Sequence, residues 1–189
     1  MKKINEFLIT TVSIFSIIYF LSHLGVLTIS EKLTSLSLIP VLFGVKIIRK
    51  FLKLKIDDGT ELMYLLFVIG AQLVGSVFHA YDFIKYYDKF IHFLSGSLSS
   101  IFALTLLNNT KLKNRTVMTD IIFVITFTLA IAGLWEFFEF FSDLILKGDA
   151  QRVATSGVID TMTDMISAFL SSIIFSSIYY YKAHKLVNN

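Results

Sequence analysis

Acidic and histidine side chains gather in three short stretches of a chain that is otherwise apolar. The first, YYDKFIHFLSG, places Asp88 and His92 four residues apart, which puts them on one face of a helix. The second, GLWEFFEFFSDL, spaces its acids by three and four residues, and the third, SGVIDTMTDM, separates Asp160 from Asp164 by four. Imidazole nitrogens and carboxylate oxygens bind divalent metal ions, and they are also common general acids and bases.

Five of these side chains form the predicted catalytic set: His92, Asp88, Glu139, Asp160 and Asp164. Of these, His92, Glu139, Asp160 and Asp164 are also the predicted ligands of a divalent metal ion. A bound metal ion would activate a water molecule or polarise a phosphoryl oxygen. Without a metal ion, His92 would act as the general acid or base, and a carboxylate would orient it.

A second set of polar residues is predicted to bind the substrate: Lys89, Arg152, Gln151, Glu136, His79 and Asp82. Arg152 and Lys89 supply positive charge for a phosphate or carboxylate group, and the planar guanidinium of Arg152 allows a bidentate contact. The acids of the two sets are mutually repulsive at helical spacing unless a cation, a proton or a basic side chain lies between them.

The same residues also allow two structural interpretations. Charged side chains at the ends of membrane helices can extend into the headgroup layer. That role fits Asp82 better than Glu136 and Glu139, which lie within an aromatic-rich apolar run. Alternatively, a buried network of salt bridges that includes Lys89 or Arg152 could hold the helices together.

The composition identifies the chain as a membrane protein. Of its 189 residues, 55% are hydrophobic and only 16% are charged, whereas an average soluble domain has about 25% charged residues. Cysteine is absent, which excludes disulfides, thiolate metal sites and cysteine nucleophiles. The composition marks no linker, so we predict one all-α, polytopic membrane domain over residues 1–189.

Six apolar segments are long enough to be transmembrane helices. The second segment is short and contains Pro40, which indicates a kinked, tilted or only partly spanning helix. The fifth is long, so its last turns are expected to project from the membrane. Within the third, Gln72 is expected to form an interhelical hydrogen bond. The predicted helices cover about 7–29, 33–49, 61–81, 90–107, 117–141 and 158–181.

The basic residues predict the orientation of these helices. With six spans, one side of the membrane receives twelve of the 17 Lys and Arg residues, and the other side receives the remaining five. Because loops rich in Lys and Arg stay in the cytoplasm, both termini are predicted to be cytoplasmic. Nine of the 14 acidic residues fall on the outer side, and the polar stretches at four helix ends converge there.

The three polar stretches resemble a known group of bacterial proteins. YDKFIHF is similar to the D-K-x-x-H-F signature of VanZ-like membrane proteins. The run with Glu139, Gln151, Arg152 and then Asp160-x-x-x-Asp164 is similar to their second signature. With WEFFEF and GVIDTMTDM, the pattern most resembles the YjdF-type inner-membrane family, whose domain has no known function. The resemblance covers roughly residues 61–189.

The resemblance implies a location and a role in the cell envelope, but no particular reaction. Asp164 stands where VanZ-like proteins usually have Asn, and Ser167-Ala168 replaces their small-Gly step, which favours the YjdF-type branch. The family implies a multi-pass protein of the bacterial inner membrane. VanZ itself is associated with teicoplanin resistance, which implies an envelope role.

Three functions fit this pattern. The first is a membrane-embedded hydrolase or transferase that acts on a lipid or a phosphate-bearing, lipid-linked envelope molecule. The second is a non-enzymatic factor that binds an envelope lipid or an antibiotic. The third is a proton- or cation-coupled transporter, against which stand the lack of an internal repeat and of charge in the inner halves of the helices. Nucleic-acid binding is not expected, because the positive-inside rule already accounts for the basic loops.

Overall fold

The protein is all-helical in the part of the chain that the computed structural model describes, residues 1–110, 112, 114–152 and 156–187. A π-helical segment, Ile69–Val77, directly continues the fourth helix. The helices in chain order are α1 (Lys2–Ser22), α2 (Ile29–Leu42), α3 (Gly44–Leu52), α4 (Asp58–Val68), α5 (Ala80–Phe83), α6 (Tyr87–Asn109), α7 (Val117–Leu146) and α8 (Val158–Val187).

Five apolar helical stretches within the described residues are long enough to cross a membrane: Lys2–Ser22, Asp58–Val77, Tyr87–Asn109, Val117–Leu146 and Val158–Lys185. These stretches overlap five of the six predicted segments. The structure therefore confirms an all-α protein with several membrane-spanning helices.

The remaining predicted segment, 33–49, is divided into two short helices. α2 ends at Leu42 and α3 begins at Gly44. Pro40 lies in the last turns of α2 and cannot donate a backbone hydrogen bond, which weakens the helix at this point. The break also makes room for Tyr64, whose hydroxyl donates a hydrogen bond of 2.6 Å to the carbonyl of Val41.

The chain divides into two compact units, and the boundary between Ile91 and His92 falls within α6. In the first unit, the apolar core includes Ile9, Leu38 and Leu65. The side-chain amide of Gln72 donates to the carbonyl of Thr34 at 3.1 Å and to Ser37 Oγ at 2.7 Å. The expected interhelical hydrogen bond of Gln72 is therefore confirmed.

Polar contacts fix the start of α4 in this unit. The Arg49 guanidinium forms an ion pair of 2.6 Å with the buried Glu61 and also donates to the carbonyl of Ile56. Asp57 caps the helix, since its carboxylate accepts hydrogen bonds from the backbone of Gly59 and Thr60. Such caps satisfy backbone donors that would otherwise have no partner at the start of a helix.

In the second unit, α6, α7 and α8 are joined at small and hydroxyl-bearing residues. A side chain at Gly96 would collide with the backbone of Ala168 on α8. Ser97 and Ser171 are linked by a hydrogen bond of 2.6 Å, and Ser100 contacts the hydroxyl of Thr128 at 3.2 Å. Close approach at small residues is a common way for membrane helices to pack.

We predict that the Asp57 cap contributes to stability in a pH-dependent way. Hydrogen bonds from the side chain and the backbone of Thr60 hold the pKa of Asp57 below its usual value. A lowered pKa in the folded state stabilises the protein above the unfolded-state pKa of about 3.9, and the gain is lost as pH falls through the folded-state value. Asp57→Ala should therefore cost about 0.5–2 kcal/mol at pH 7 and progressively less below pH ~4.

Thermal unfolding in detergent micelles at several pH values measures this effect. Glu6→Ala is the matched control, because Glu6 is an exposed acid on α1. A deficit for Asp57→Ala that stays constant down to the lowest pH tested would show that its carboxylate charge does not act as described.

A second prediction concerns the contact between α6 and α8. Gly96→Ala should lower the unfolding temperature, because the new methyl group meets the Ala168 backbone and overpacking costs about 1–3 kcal/mol. Gly133→Ala is the control, since the nearest atom to its added carbon is Met165 Cε at 3.9 Å. That variant should gain up to ~1 kcal/mol from helix propensity. Equal effects of the two substitutions on thermal unfolding would contradict close packing at Gly96.

Candidate functional site

A buried histidine and a buried aspartate face each other between α6 and α8. His92 Nε2 lies 3.8 Å from Asp164 Oδ1, and the two side chains are 7% and 2% exposed. The separation is too long for a hydrogen bond. It suits two ligands of one metal ion, because ligand atoms about 2.0–2.2 Å from a zinc ion can lie up to about 4 Å apart.

Glu136 of α7 lies at the same level of the helix bundle. α6 and α7 touch at Ser100 and Thr128. His92 lies eight residues before Ser100, and Glu136 lies eight residues after Thr128. Because α6 and α7 run in opposite directions, equal steps from their contact reach the same level.

The register of α8 agrees with this placement. Gly133 lies next to Met165, and Asp120 accepts a hydrogen bond from Tyr179, so α7 and α8 are antiparallel, with Asp164 close to the level of Glu136. Glu136 and Asp164 are both buried. We call the level occupied by His92, Glu136 and Asp164 the polar layer.

Two further acids extend the polar layer by one helical turn. Asp88 stands four residues before His92 on the uninterrupted helix α6, which puts the two side chains on one face of that helix. Lys89 Nζ is 3.3 Å from Asp88 Oδ2. On α8, the buried Asp160 precedes Asp164 by four residues. Carboxylates and a histidine gathered in this way could hold a divalent cation.

The structure places His92 and Asp164 together, and the sequence pattern predicted Glu139 and Asp160 as metal ligands beside these two. Glu139 accepts a hydrogen bond of 2.7 Å from Trp135 Nε1 on its own helix. The metal-ligand roles of Glu139 and Asp160 stay predictions.

The connection between α7 and α8 brings Gln151 to the polar layer. Asp143 accepts hydrogen bonds from the backbone of Ala150 at 2.7 Å and of Gln151 at 3.0 Å, which fixes the loop against the end of α7. The side-chain amide of Gln151 then donates to the carbonyl of Glu136 at 3.1 Å. Arg152 follows in the left-handed conformation, with φ of 51°, and its side chain is partly buried.

His79 and Asp82 belong to the first unit and pair with each other. His79 Nδ1 lies 3.3 Å from Asp82 Oδ2, and His79 Nε2 lies 3.7 Å from Glu31 Oε1. His79 is 44% exposed and precedes α5 in the left-handed conformation. The predicted substrate-binding role of His79 and Asp82 stays a prediction.

A second polar cluster, which the sequence interpretation missed, lies at the opposite end of α7. The buried Asp120 pairs with Arg115 Nε at 3.0 Å and accepts a hydrogen bond of 2.8 Å from the Tyr179 hydroxyl. The sequence did contain a signal for this cluster, because Asp120 is an acid in the first turn of an otherwise apolar helix. Buried hydroxyls lie on the helices between the two clusters: Ser100, Thr128, Ser171, Ser172 and Ser176.

An open groove of about 560 Å³ adjoins the polar layer. Three phenylalanine rings from the last turns of α7 form most of its wall, and polar residues stand among them. The lining residues are Glu136, Phe137, Phe140, Phe141, Gln151 and Thr161. The volume is within the range of small-molecule sites.

Comparisons with curated proteins and with solved structures give no match. A family model described as "Predicted membrane protein (DUF2238)" matches residues 5–185, nearly the whole chain. This match agrees with the apolar helices and their length. The chain therefore belongs to the DUF2238 family of predicted membrane proteins.

Proposed function

We propose that the protein binds a divalent cation at His92 and Asp164, with Asp88 as a third ligand, and uses it to act on a phosphate-bearing lipid or lipid-linked molecule of the cell envelope. The observation that carries this proposal is the polar layer. Three ionisable side chains from three helices lie buried at one level of a membrane protein. Such groups are costly to bury and commonly mark functional sites.

A cation accounts for the composition of the polar layer. His92 and Asp164 lie 3.8 Å apart, a separation that one bound ion can bridge at ordinary ligand distances. Asp88 lies one turn before His92 on the same helix, and its carboxylate would complete a set of nitrogen and oxygen ligands.

The residues around the cation suggest how a substrate phosphate would be handled. The cation would polarise a phosphoryl oxygen or activate water. Arg152 and Lys89 are the candidates for binding the phosphate, and Asp160 and Glu136 are candidates for moving a proton. Hydrolysis and group transfer are both compatible with these roles.

The proposed setting is the outer face of a bacterial inner membrane. The basic loops favour cytoplasmic termini, which places the polar layer on the opposite side. The resemblance to VanZ-like and YjdF-type proteins supports this location and a role in the cell envelope. A factor that binds an envelope lipid or an antibiotic without turnover is the alternative, and it would use the same polar layer.

We predict stoichiometric divalent metal in the purified protein. His92→Ala and Asp164→Asn should each weaken metal affinity by at least about 10–100-fold, a loss that even outer-shell partners of a metal can cause. Elemental mass spectrometry of protein in lipid nanodiscs, after reloading with Zn²⁺, Mn²⁺ or Mg²⁺, measures this.

Glu139→Gln is the matched control, because Glu139 is an acid of α7 that bonds Trp135 and lies outside the Asp88–His92–Asp164 group. Its metal content should equal that of the unmodified protein. A folded, reloaded protein without metal would refute the cation site. Loss of metal in Glu139→Gln, together with loss in His92→Ala and Asp164→Asn, would return the site to the ligands that the sequence pattern suggested.

Proton or cation transport is a second candidate, which the buried hydroxyls favour. Ser100, Thr128, Ser172 and Ser176 lie on the helices between the polar layer and the Asp120 cluster. Ser176 Oγ is buried and has no hydrogen-bond partner among the described residues, as expected where water enters.

Transport predicts that Ser176→Val slows proton or cation flux into proteoliposomes, as read by a pH-sensitive or cation-sensitive dye. Ser177→Val is the control, because Ser177 is exposed on the same helix. The absence of any flux above that of empty liposomes would exclude this candidate.

A further inference from the structure

We infer that the groove beside Glu136 holds the hydrocarbon chain of a membrane phospholipid, which reaches the polar layer sideways from within the bilayer. The inference rests on the proposed function, since it describes how a lipid substrate of the same site is held. It adds the binding surface for the chain and the route of entry.

The depth of the polar layer is the first argument. Glu136 lies sixteen residues from Asp120 on α7, and Asp164 lies fifteen residues from Tyr179 on α8. At 1.5 Å per residue, both helices place the polar layer about 22–24 Å from the Asp120 cluster.

The Asp120 cluster contains Arg115, whose guanidinium favours the headgroup boundary. The hydrocarbon core is about 30 Å thick, so the polar layer lies roughly 6–8 Å below the opposite boundary. Asp160 stands one turn, about 6 Å, nearer to that boundary. A water-soluble substrate would have to cross this depth, whereas a lipid is already there.

The walls of the groove are the second argument. Phe137, Phe140 and Phe141 belong to the membrane-spanning stretch Val117–Leu146. Their rings form most of the wall of the groove. A chain already in the bilayer gains nothing from leaving water, so it is held only by close packing, which a preformed groove provides.

The rim of the groove is the third argument, because its composition shows whether the groove suits a lipid or a protein partner. Protein interfaces are usually surrounded by polar residues. Here the exposed side chains on the same turns of α7 and α8 are apolar: Phe138, Leu144, Ile145, Val158, Ile159 and Met162. The apolar surface beside the groove on α7 and α8 matches the interior of a bilayer, and Asp143 and Asp149 make the surface polar only towards the α7–α8 connection.

The polar groups of the groove orient the lipid. Glu136 and Gln151 lie together, joined by the hydrogen bond from Gln151 to the Glu136 carbonyl. The three rings follow Glu136 by one to five residues, up to about 8 Å towards the end of α7, so a chain along them runs from near the headgroup boundary, where the polar part of the lipid stays, down to the polar layer.

The test uses the full-length protein in nanodiscs of phosphatidylethanolamine and phosphatidylglycerol that contain a trace of lipid with a photoreactive diazirine on one acyl chain. We expect crosslinks, mapped by peptide mass spectrometry, to concentrate on residues 137–141 and around Thr161. Thr161→Phe, which fills the groove, should reduce this labelling several-fold. Ile174→Phe is the matched control, because it enlarges an exposed apolar residue elsewhere on α8.

A second measurement does not depend on any variant. Trp135 is the only tryptophan of the chain, and it precedes Glu136, so its fluorescence reports the depth of the groove. Lipids brominated on their acyl chains should quench it strongly, and the water-soluble quencher acrylamide should quench it little. The reverse pattern would overturn lateral entry.

Labelling spread evenly over all exposed helix faces, or labelling that survives Thr161→Phe, would show that lipids only surround the protein without a specific site. Either result would overturn the proposed binding site for the acyl chain. Metal content keeps this failure distinct from failure of the proposed function. Thr161→Phe should leave bound metal unchanged, whereas His92→Ala should remove the metal and leave the groove labelling.

Discussion

The position of the polar layer depends on the close contact between α6 and α8. At Gly96 the backbone of Ala168 occupies the space where a side chain would be, so the two helices can meet at this height and in this register. One turn away, the same register sets His92 opposite Asp164. A larger residue at Gly96 would separate the helices and with them the two ionisable groups. The close packing of α6 and α8 therefore fixes the position of His92 relative to Asp164.

The polar contacts in the rest of the second unit reinforce this register. The hydroxyl pairs Ser97–Ser171 and Ser100–Thr128 connect α6 to both neighbouring helices. At the far end, Asp120 joins Arg115 to Tyr179. Interhelical hydrogen bonds in membranes are individually modest, averaging about 0.6 kcal/mol. Their value here is that they oppose sliding, because sliding by one residue would break several at once.

The sequence predicted the helices well because membrane spans need long apolar runs, and such runs are visible without a structure. It also predicted that Asp88 and His92 share a face, since spacing within one helix fixes relative position. It could not show that Glu136, rather than Glu139, lies level with His92. That relation depends on the register between helices, which is set by contacts such as Gly96 against Ala168. The segment around Pro40 was predicted to be kinked, tilted or only partly spanning, but its division into two helices was not, because the packing of Tyr64 at the break is a tertiary feature.

The lengths of α7 and α8 have a consequence for where the protein can reside. Each has 30 residues and is therefore about 45 Å long, half as long again as a hydrocarbon core of about 30 Å. Helices longer than the hydrocarbon core tilt or project from it, and Asp120 and Asp143, near the two ends of α7, suit projection. Because α7 is apolar almost to its end, a thicker bilayer would cover more of its exposed phenylalanine surface. The protein would thus be expected to accumulate in the thicker regions of its membrane.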